Sequence, residues 1–138
     1  MEYSLLDLKY AYAGGIIDGE GCVNLTKNGL TLVVGVCSQE LTSFLKQNFC
    51  GGVNISKCNS SGRLFYRWVL NSTPASNLLK RVLPYLIIKK NHALLAISFQ
   101  SKIDTHKDYA YGKVLTKSEL KERESMVEQM HKLNHGGK

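Results

Sequence analysis

Between Ala11 and Val23 the chain reads Ala-Tyr-Ala-Gly-Gly-Ile-Ile-Asp-Gly-Glu-Gly-Cys-Val, and here the residue types and their spacing could do chemistry. Two carboxylates, Asp18 and Glu20, flank one glycine at the end of a stretch with helical periodicity. A helix dipole disfavours negative charge at its C-terminal end. Acids placed against that field are better explained by a cation than by helix stability. Gly14 and Gly15 lie inside the same helix, each at a cost of about 1 kcal/mol relative to alanine. Ala11, Gly14 or Gly15, and Asp18 recur at three-to-four spacing, so one face lacks bulk and another backbone can approach it closely. A phosphate-binding glycine loop is the obvious competitor, and its polarity is wrong. Such loops precede a helix and use its positive N-terminus, whereas these glycines follow one, beside acids and without a Lys-Ser or Lys-Thr pair. The structural alternative is a tight helix-to-strand turn with an incidental acid.

Other chemistries find less support. Cys22, Cys37, Cys50 and Cys58 form no CxxC pair and no zinc-like spacing with histidine. Three of them lie in apolar, strand-like surroundings, where free cysteine behaves as a small hydrophobe. His131 and His135 are four apart but lack partners to complete a metal site, and His92 reads as structural. A small-molecule enzyme using Asp18 and Glu20 as an acid/base pair lacks a second catalytic cluster. The N-terminus shows no signal-peptide pattern, and no apolar window is long enough to span a membrane, so a reduced, intracellular, soluble protein without a membrane partner is expected.

The net charge of +7 on 138 residues is unevenly spread. Residues 1–50 carry three basic and five acidic side chains, whereas residues 51–112 carry nine basic and two acidic. A basic middle on a folded chain favours a polyanion, nucleic acid before membrane. A merely solvated basic surface is the other reading.

Five helices and four strands are expected to position these groups, in one α+β domain over residues 1–138. Ser4 and Asp7 form a capping-box signal for a first helix reaching about Asp18, stopped by Gly19 and Gly21. Strands Cys22–Asn28 and Leu30–Ser38 join at Asn28-Gly29. Ser38 caps a second helix with Leu41, Phe44, Leu45 and Phe49 on its apolar face, ended by Gly51-Gly52. A second hairpin runs from Val53 to Cys58 and from Arg63 to Asn71, with Tyr66, Trp68 and Leu70 toward the core. Thr73-Pro74 opens a helix carrying Leu78, Leu79, Val82 and Leu83, which Pro84 ends. A further helix spans Ala93–Ile103. Thr116 and Glu119 cap a last one, over about 116–134, buried through Leu120, Val127, Met130 and Leu133. A four-stranded antiparallel sheet with all helices on one face leaves the other bare. Asn24, Thr26, Asn28, Asn54, Ser56, Arg63 and Arg67 are candidates for that bare face, where strands can read base edges. An ordinary solvated sheet face is the bland alternative.

The segment Ala13-Gly14-Gly15-Ile16-Ile17-Asp18-Gly19-Glu20-Gly21 resembles the nine-residue signature of LAGLIDADG homing endonucleases. The helix-strand-strand-helix-strand-strand-helix order is similar to that family's fold, a saddle-shaped antiparallel sheet. Leu83-Pro84-Tyr85-Leu86 through Lys89 to Ala93-Leu94-Leu95 resembles the stretch bearing the family's active-site lysine. Ala13, Gly14 and Glu20 depart from the usual Leu, Ala and Asp, the last an acid-for-acid change.

The resemblance implies site-specific hydrolysis of both DNA strands at a long pseudo-palindromic site. Family members with one motif copy pair their motif helices across a two-fold axis, which makes Ala11, Gly14, Gly15 and Asp18 the expected homodimer interface. Two copies of Glu20 would meet beneath it, repelling unless divalent cations bridge them. Hard oxygen ligands suit Mg²⁺, with Mn²⁺ as an alternative, and by similarity the Gly19 carbonyl joins as a ligand. Lys89 is the expected basic group near the scissile phosphate, with Lys90 as its neighbour, and Gln39 the expected organiser of the attacking water. Lys57, Arg63, Lys80 and Lys102 would contact phosphates. Such a protein would be intron-encoded, in a bacterial or phage cytoplasm or an organelle. The alternative is a non-catalytic binder on the same scaffold, an intron-RNA maturase or a DNA-binding regulator.

Overall fold

A computed structural model of the chain describes residues 3–110 and 114–135. Helix α1 (Leu5–Glu20) is opened by the expected capping box. Ser4 Oγ accepts the Asp7 N–H at 3.1 Å, and the Asp7 carboxylate accepts the Ser4 N–H at 3.3 Å. The helix outruns its expected end at Asp18. Gly19 stays helical, and the cap falls on Gly21, whose N–H bonds the Ile17 carbonyl.

Strands β1 (Gly21–Thr26) and β2 (Gly29–Val36) form an antiparallel hairpin. Its turn is Lys27-Asn28, one position before the expected Asn28-Gly29, because Gly29 pairs with Thr26 in the ladder. The Thr26 hydroxyl explains the shift: it accepts the Asn28 N–H at 3.2 Å and donates to the Gly29 carbonyl at 3.3 Å. Helix α2 (Gln39–Phe49) is capped by Ser38, whose Oγ accepts the Leu41 N–H at 3.2 Å. Beyond it, Trp68 Nε1 donates to the Cys50 carbonyl at 2.8 Å. Gly51, at φ +87°, would place an added Cβ 2.7 Å from that ring nitrogen, so backbone and space both demand glycine.

Strands β3 (Gly52–Lys57) and β4 (Leu64–Asn71) make the second hairpin. The sheet order is β1-β2-β4-β3, antiparallel throughout, so the hairpins meet through β2 and β4. Helix α3 (Ser72–Val82) starts before the expected Thr73 cap. Thr73 is engaged elsewhere, its Oγ1 donating to both Asp104 carboxylate oxygens at 3.0 and 3.1 Å. A 3-10 turn (Leu83–Tyr85) carries Pro84, and α4 (Lys90–Ala110) extends the expected Ala93–Ile103 helix at both ends. Helix α5 (Lys117–His135) opens on the Thr116–Glu119 box. Among the described residues no helix is long and apolar enough to cross a membrane.

The five helices of the described residues share one core with the inward face of the sheet. Ile17, Leu30, Leu32, Leu45, Trp68, Leu79 and Phe99 are fully buried between. Tyr66, Trp68 and Leu70 point inward and Arg67 outward, as the alternation required. A one-residue slip of β4 would reverse all four, so this packing fixes the register on which the open face depends. Two expectations are corrected. On α5 the buried pair is Met126 and Met130 while Leu120 is exposed, because the helix straddles α4 and β1. All four cysteines are exposed: Cys22 points to the open face, Cys37 and Cys50 lie beyond element ends, and Cys58 is at a hairpin tip.

Candidate functional site

The C-terminal end of α1 is tied to the segment before α4, about 70 residues away in sequence. Asp18 Oδ1 accepts three backbone N–H groups, from Ile87 at 3.1 Å, Ile88 at 2.8 Å and Lys89 at 2.9 Å. In return Lys89 Nζ donates to the Asp18 carbonyl at 3.2 Å. An anion on converging N–H groups just ahead of a helix has the polarity that a helix start favours. Asp18 thus needs no cation to explain it. Burial opposes its charge, but the N–H groups of Lys89, Ile87 and Ile88, together with the Lys89 ammonium, outweigh that and hold its carboxyl below its ordinary value of 3.8.

Asp18→Ala leaves those donors unpaired in the fold and is expected to cost about 1–2 kcal/mol, the scale of a lost helix cap. Because the folded-state pKa is depressed, the charge stabilises above the ordinary value and the benefit disappears as pH falls through the folded one. The gap in melting temperature between wild type and variant should therefore be full at neutral pH and close on the acid side of 3.8.

Glu20, one turn-end residue later, is exposed, and its carboxylate has no hydrogen bond or ion pair among the described residues. Lys89 is half-buried and reaches α1 through Nζ, whereas Lys90 is the exposed first residue of α4. Gln39 opens α2 and is exposed. It follows the end of β2 that lies beside the start of β1, where Gly21 pairs with Val34, and makes no side-chain hydrogen bond to Glu20. Among the described residues no three His, Cys, Asp or Glu side chains gather as a metal cluster. Glu20 and the Gly19 carbonyl are oxygen donors of the type Mg²⁺ takes, and because Mg²⁺ keeps several waters beside one or two carboxylates they fit as part of its shell.

The small-residue face of α1 divides in two. Gly14 points inward, where an added Cβ would lie 2.8 Å from Tyr85 Cβ, and Asp18 follows it one turn later. Gly15 and Gly19 point outward, with no atom within 4 Å of an added Cβ. Leu5, Leu8 and Tyr12 continue this outer stripe, 83%, 53% and 55% exposed. Ala11 lies between the two faces, half-buried. The bare stripe is therefore Leu5, Leu8, Tyr12, Gly15 and Gly19, a heptad-like spacing that omits Gly14 and Asp18 from the expected set.

The sheet's open face carries Asn24, Thr31 and Asn71 in one row across β1, β2 and β4. Gly35, Arg67 and Asn54 form another across β2, β4 and β3, and Phe65 and Ser56 a third. Gly35 leaves room for the Phe65 ring, since an added Cβ would come 2.7 Å from its Cζ. Thr31 and Asn71 were reachable from the alternation of their strands. Thr26 and Asn28 are engaged in the first hairpin's turn, and Arg63 lies in the second hairpin's loop. Lys57 alternates to the helix side, with Val53 and Ile55. Lys80 and Lys102 belong to α3 and α4, behind the sheet, where Lys102 pairs with Glu122 at 2.8 Å.

No protein-family profile matches the sequence, and no curated protein matches it. Solved structures do. The archaeal intron-encoded homing endonuclease I-Vdi141I, complexed with DNA, matches with a TM-score of 0.73 at 17% identity, over 93% of this chain and 85% of that one. The homing endonuclease I-CvuI, on uncleaved DNA with 2 mM Mg, gives 0.71 at 21% identity over 94% and 85%. The fold is that of the LAGLIDADG homing endonucleases. The LAGLIDADG meganuclease I-AabMI, bound to uncleaved DNA, gives 0.60 at 20% identity, and there 86% of this chain covers 43% of the other. In this LAGLIDADG fold the signature-like segment occupies the C-terminal half of α1 and the first position of β1.

Proposed function

We propose that the chain is a site-specific homing endonuclease that cleaves both strands of a long pseudo-palindromic DNA site as a homodimer, with Mg²⁺. One observation carries this reading: Glu20, a carboxylate without a partner among the described residues, ends a bare helix stripe two residues beyond the Asp18 carbonyl that binds Lys89, a lysine from far along the chain. Packing two α1 stripes across a two-fold axis would cover Leu5, Leu8 and Tyr12 and bring the two Glu20 groups together, where they could share divalent cations. The match to under half of I-AabMI supports the same arithmetic of two copies. Lys89 would offset charge on a phosphate near Glu20, and Gln39 would orient water. Bound Mg²⁺ would supply Lewis-acid polarisation of the phosphate and charge stabilisation of the leaving oxygen. The exposed rows of the sheet would lie in the major groove, with Arg63 and Arg67 supplying salt-sensitive attraction to the duplex.

The test is selection of cleaved molecules from a random duplex library with the purified protein and Mg²⁺. Recovery of one two-fold-related target, cut on both strands, is the expected result. A library that is bound with sequence preference but never cut would instead identify a binding protein on this scaffold.

A further inference from the structure

Asn24 is an open-face residue whose side chain is held on two sides, by Cys22 on its own strand and by Asn134 near the far end of the chain. Helix α5 runs back along the outer edge of β1: Arg123 Nη1 donates to the Lys27 carbonyl at 3.2 Å, and Asn134 reaches Val23 and Asn24. Asn134 Nδ2 donates to the Val23 carbonyl at 3.1 Å, on the strand's free edge, and to Asn24 Oδ1 at 3.2 Å. Asn24 Nδ2 in turn donates to Cys22 Sγ at 3.3 Å. An asparagine amide has one oxygen and two N–H donors. In Asn24 one N–H is committed to Cys22, and the oxygen is turned toward α5 with one of its two lone pairs taken, which leaves the other N–H as the freest group for anything approaching the open face.

We propose that Asn134 is a positioning residue that sets the base preference of Asn24, biasing it toward a donor's role in the groove. This rests on the DNA-reading role proposed above for the sheet. A free asparagine recognises adenine through N6 and N7 together, using its oxygen and an N–H at once. Held by Asn134, the Asn24 oxygen is turned toward α5 with one of its two lone pairs taken, which disfavours that two-point pairing. Asn24 favours bases that present only acceptors at the major-groove edge, guanine through O6 and N7 or thymine through O4, and disfavours cytosine, whose N4 is a donor. In a two-fold complex the preference appears once in each half-site.

Selection of bound duplexes from a random library in Ca²⁺, run on wild type and variants of the full-length protein, tests this. Asn24→Ala locates the position that Asn24 reads. Wild type is expected to prefer guanine or thymine over cytosine there by roughly tenfold. Asn134→Ala should erase that preference at the same position and leave the other positions of the target unchanged. Asn134→Asp, nearly isosteric but an acceptor only, should turn the Asn24 amide over and move the preference to adenine or cytosine. A melting temperature close to wild type for Asn134→Asp would show that α5 stays docked. Unchanged preference in both Asn134 variants would overturn the proposal, as would a uniform loss of affinity at every position, which marks a merely structural tie. A wild-type protein that selects no duplex would remove the DNA-reading role itself, a failure distinct from either.

Discussion

Glu20→Gln is expected to abolish Mg²⁺-dependent cleavage while duplex binding stays near wild type. The substitution keeps the size of the side chain and removes its charge. In the free chain Glu20 is exposed and without an internal partner among the described residues, so neutralising it breaks no contact in the fold. Its melting temperature should therefore match wild type. What is lost is an anionic oxygen donor, and a neutral amide oxygen is a weak substitute toward a hard dication. A loss of about 3–4 kcal/mol of transition-state stabilisation would slow cleavage roughly 200- to 1,000-fold. Single-turnover cleavage of the selected target, alongside a binding isotherm in Ca²⁺, separates the two effects. Cutting at the wild-type rate in Mg²⁺ would remove Glu20 from the metal-binding role. The adjacent acid provides the contrast: Asp18→Ala attacks the mount that carries Lys89, so it should lower the melting temperature as well as the rate.

That contrast marks how far the sequence could be read. Both acids violate the helix-dipole preference, and from sequence both pointed to a cation. Only coordinates separate them, because the donors that satisfy Asp18 belong to residues 87–89 and nothing local signals them. The element order, both capping boxes and the inward set Tyr66, Trp68 and Leu70 were legible because they depend on short-range spacing. The Lys27-Asn28 turn was missed by one residue because the Thr26 hydroxyl outweighed the Asn-Gly signal. The basic excess of residues 51–112 was located correctly along the chain, yet it divides between two sides of the fold: Arg63 and Arg67 belong to the hairpin and its open face, while Lys80 and Lys102 ride on helices behind the sheet. Charge counted in sequence windows carries no information about faces. Asn134 had no sequence signal, being one polar residue near the end of a polar helix, 110 positions from Asn24.

The two glycines of α1 should respond to substitution in opposite ways. Gly15→Leu replaces a helical glycine with a strong helix former at a position where the isolated chain offers open space, so the fold should gain up to about 1 kcal/mol. In a two-fold pair of α1 helices the same side chain meets its own copy where two backbones must approach closely. Overpacking costs about 1–3 kcal/mol per site, and an isologous interface incurs it twice. At 1.4 kcal/mol per tenfold, self-association should weaken by roughly thirty- to twenty-thousand-fold. Gly14→Ala is the opposite case. Its Cβ would lie 2.8 Å from Tyr85 Cβ, a carbon anchored directly to the backbone of the 3-10 turn, so the fold itself should lose stability. Sedimentation with and without a palindromic duplex reads the first effect, and thermal melting the second. A protein that is better folded yet monomeric, and that no longer cuts both strands together, is the signature of an interface on the outer stripe. If Gly15→Leu assembles on DNA as wild type does, or wild type binds its target as a monomer, the α1 pairing is wrong. In that case Leu5, Leu8 and Tyr12 are exposed for another reason, and Glu20 must find the rest of its coordination shell elsewhere.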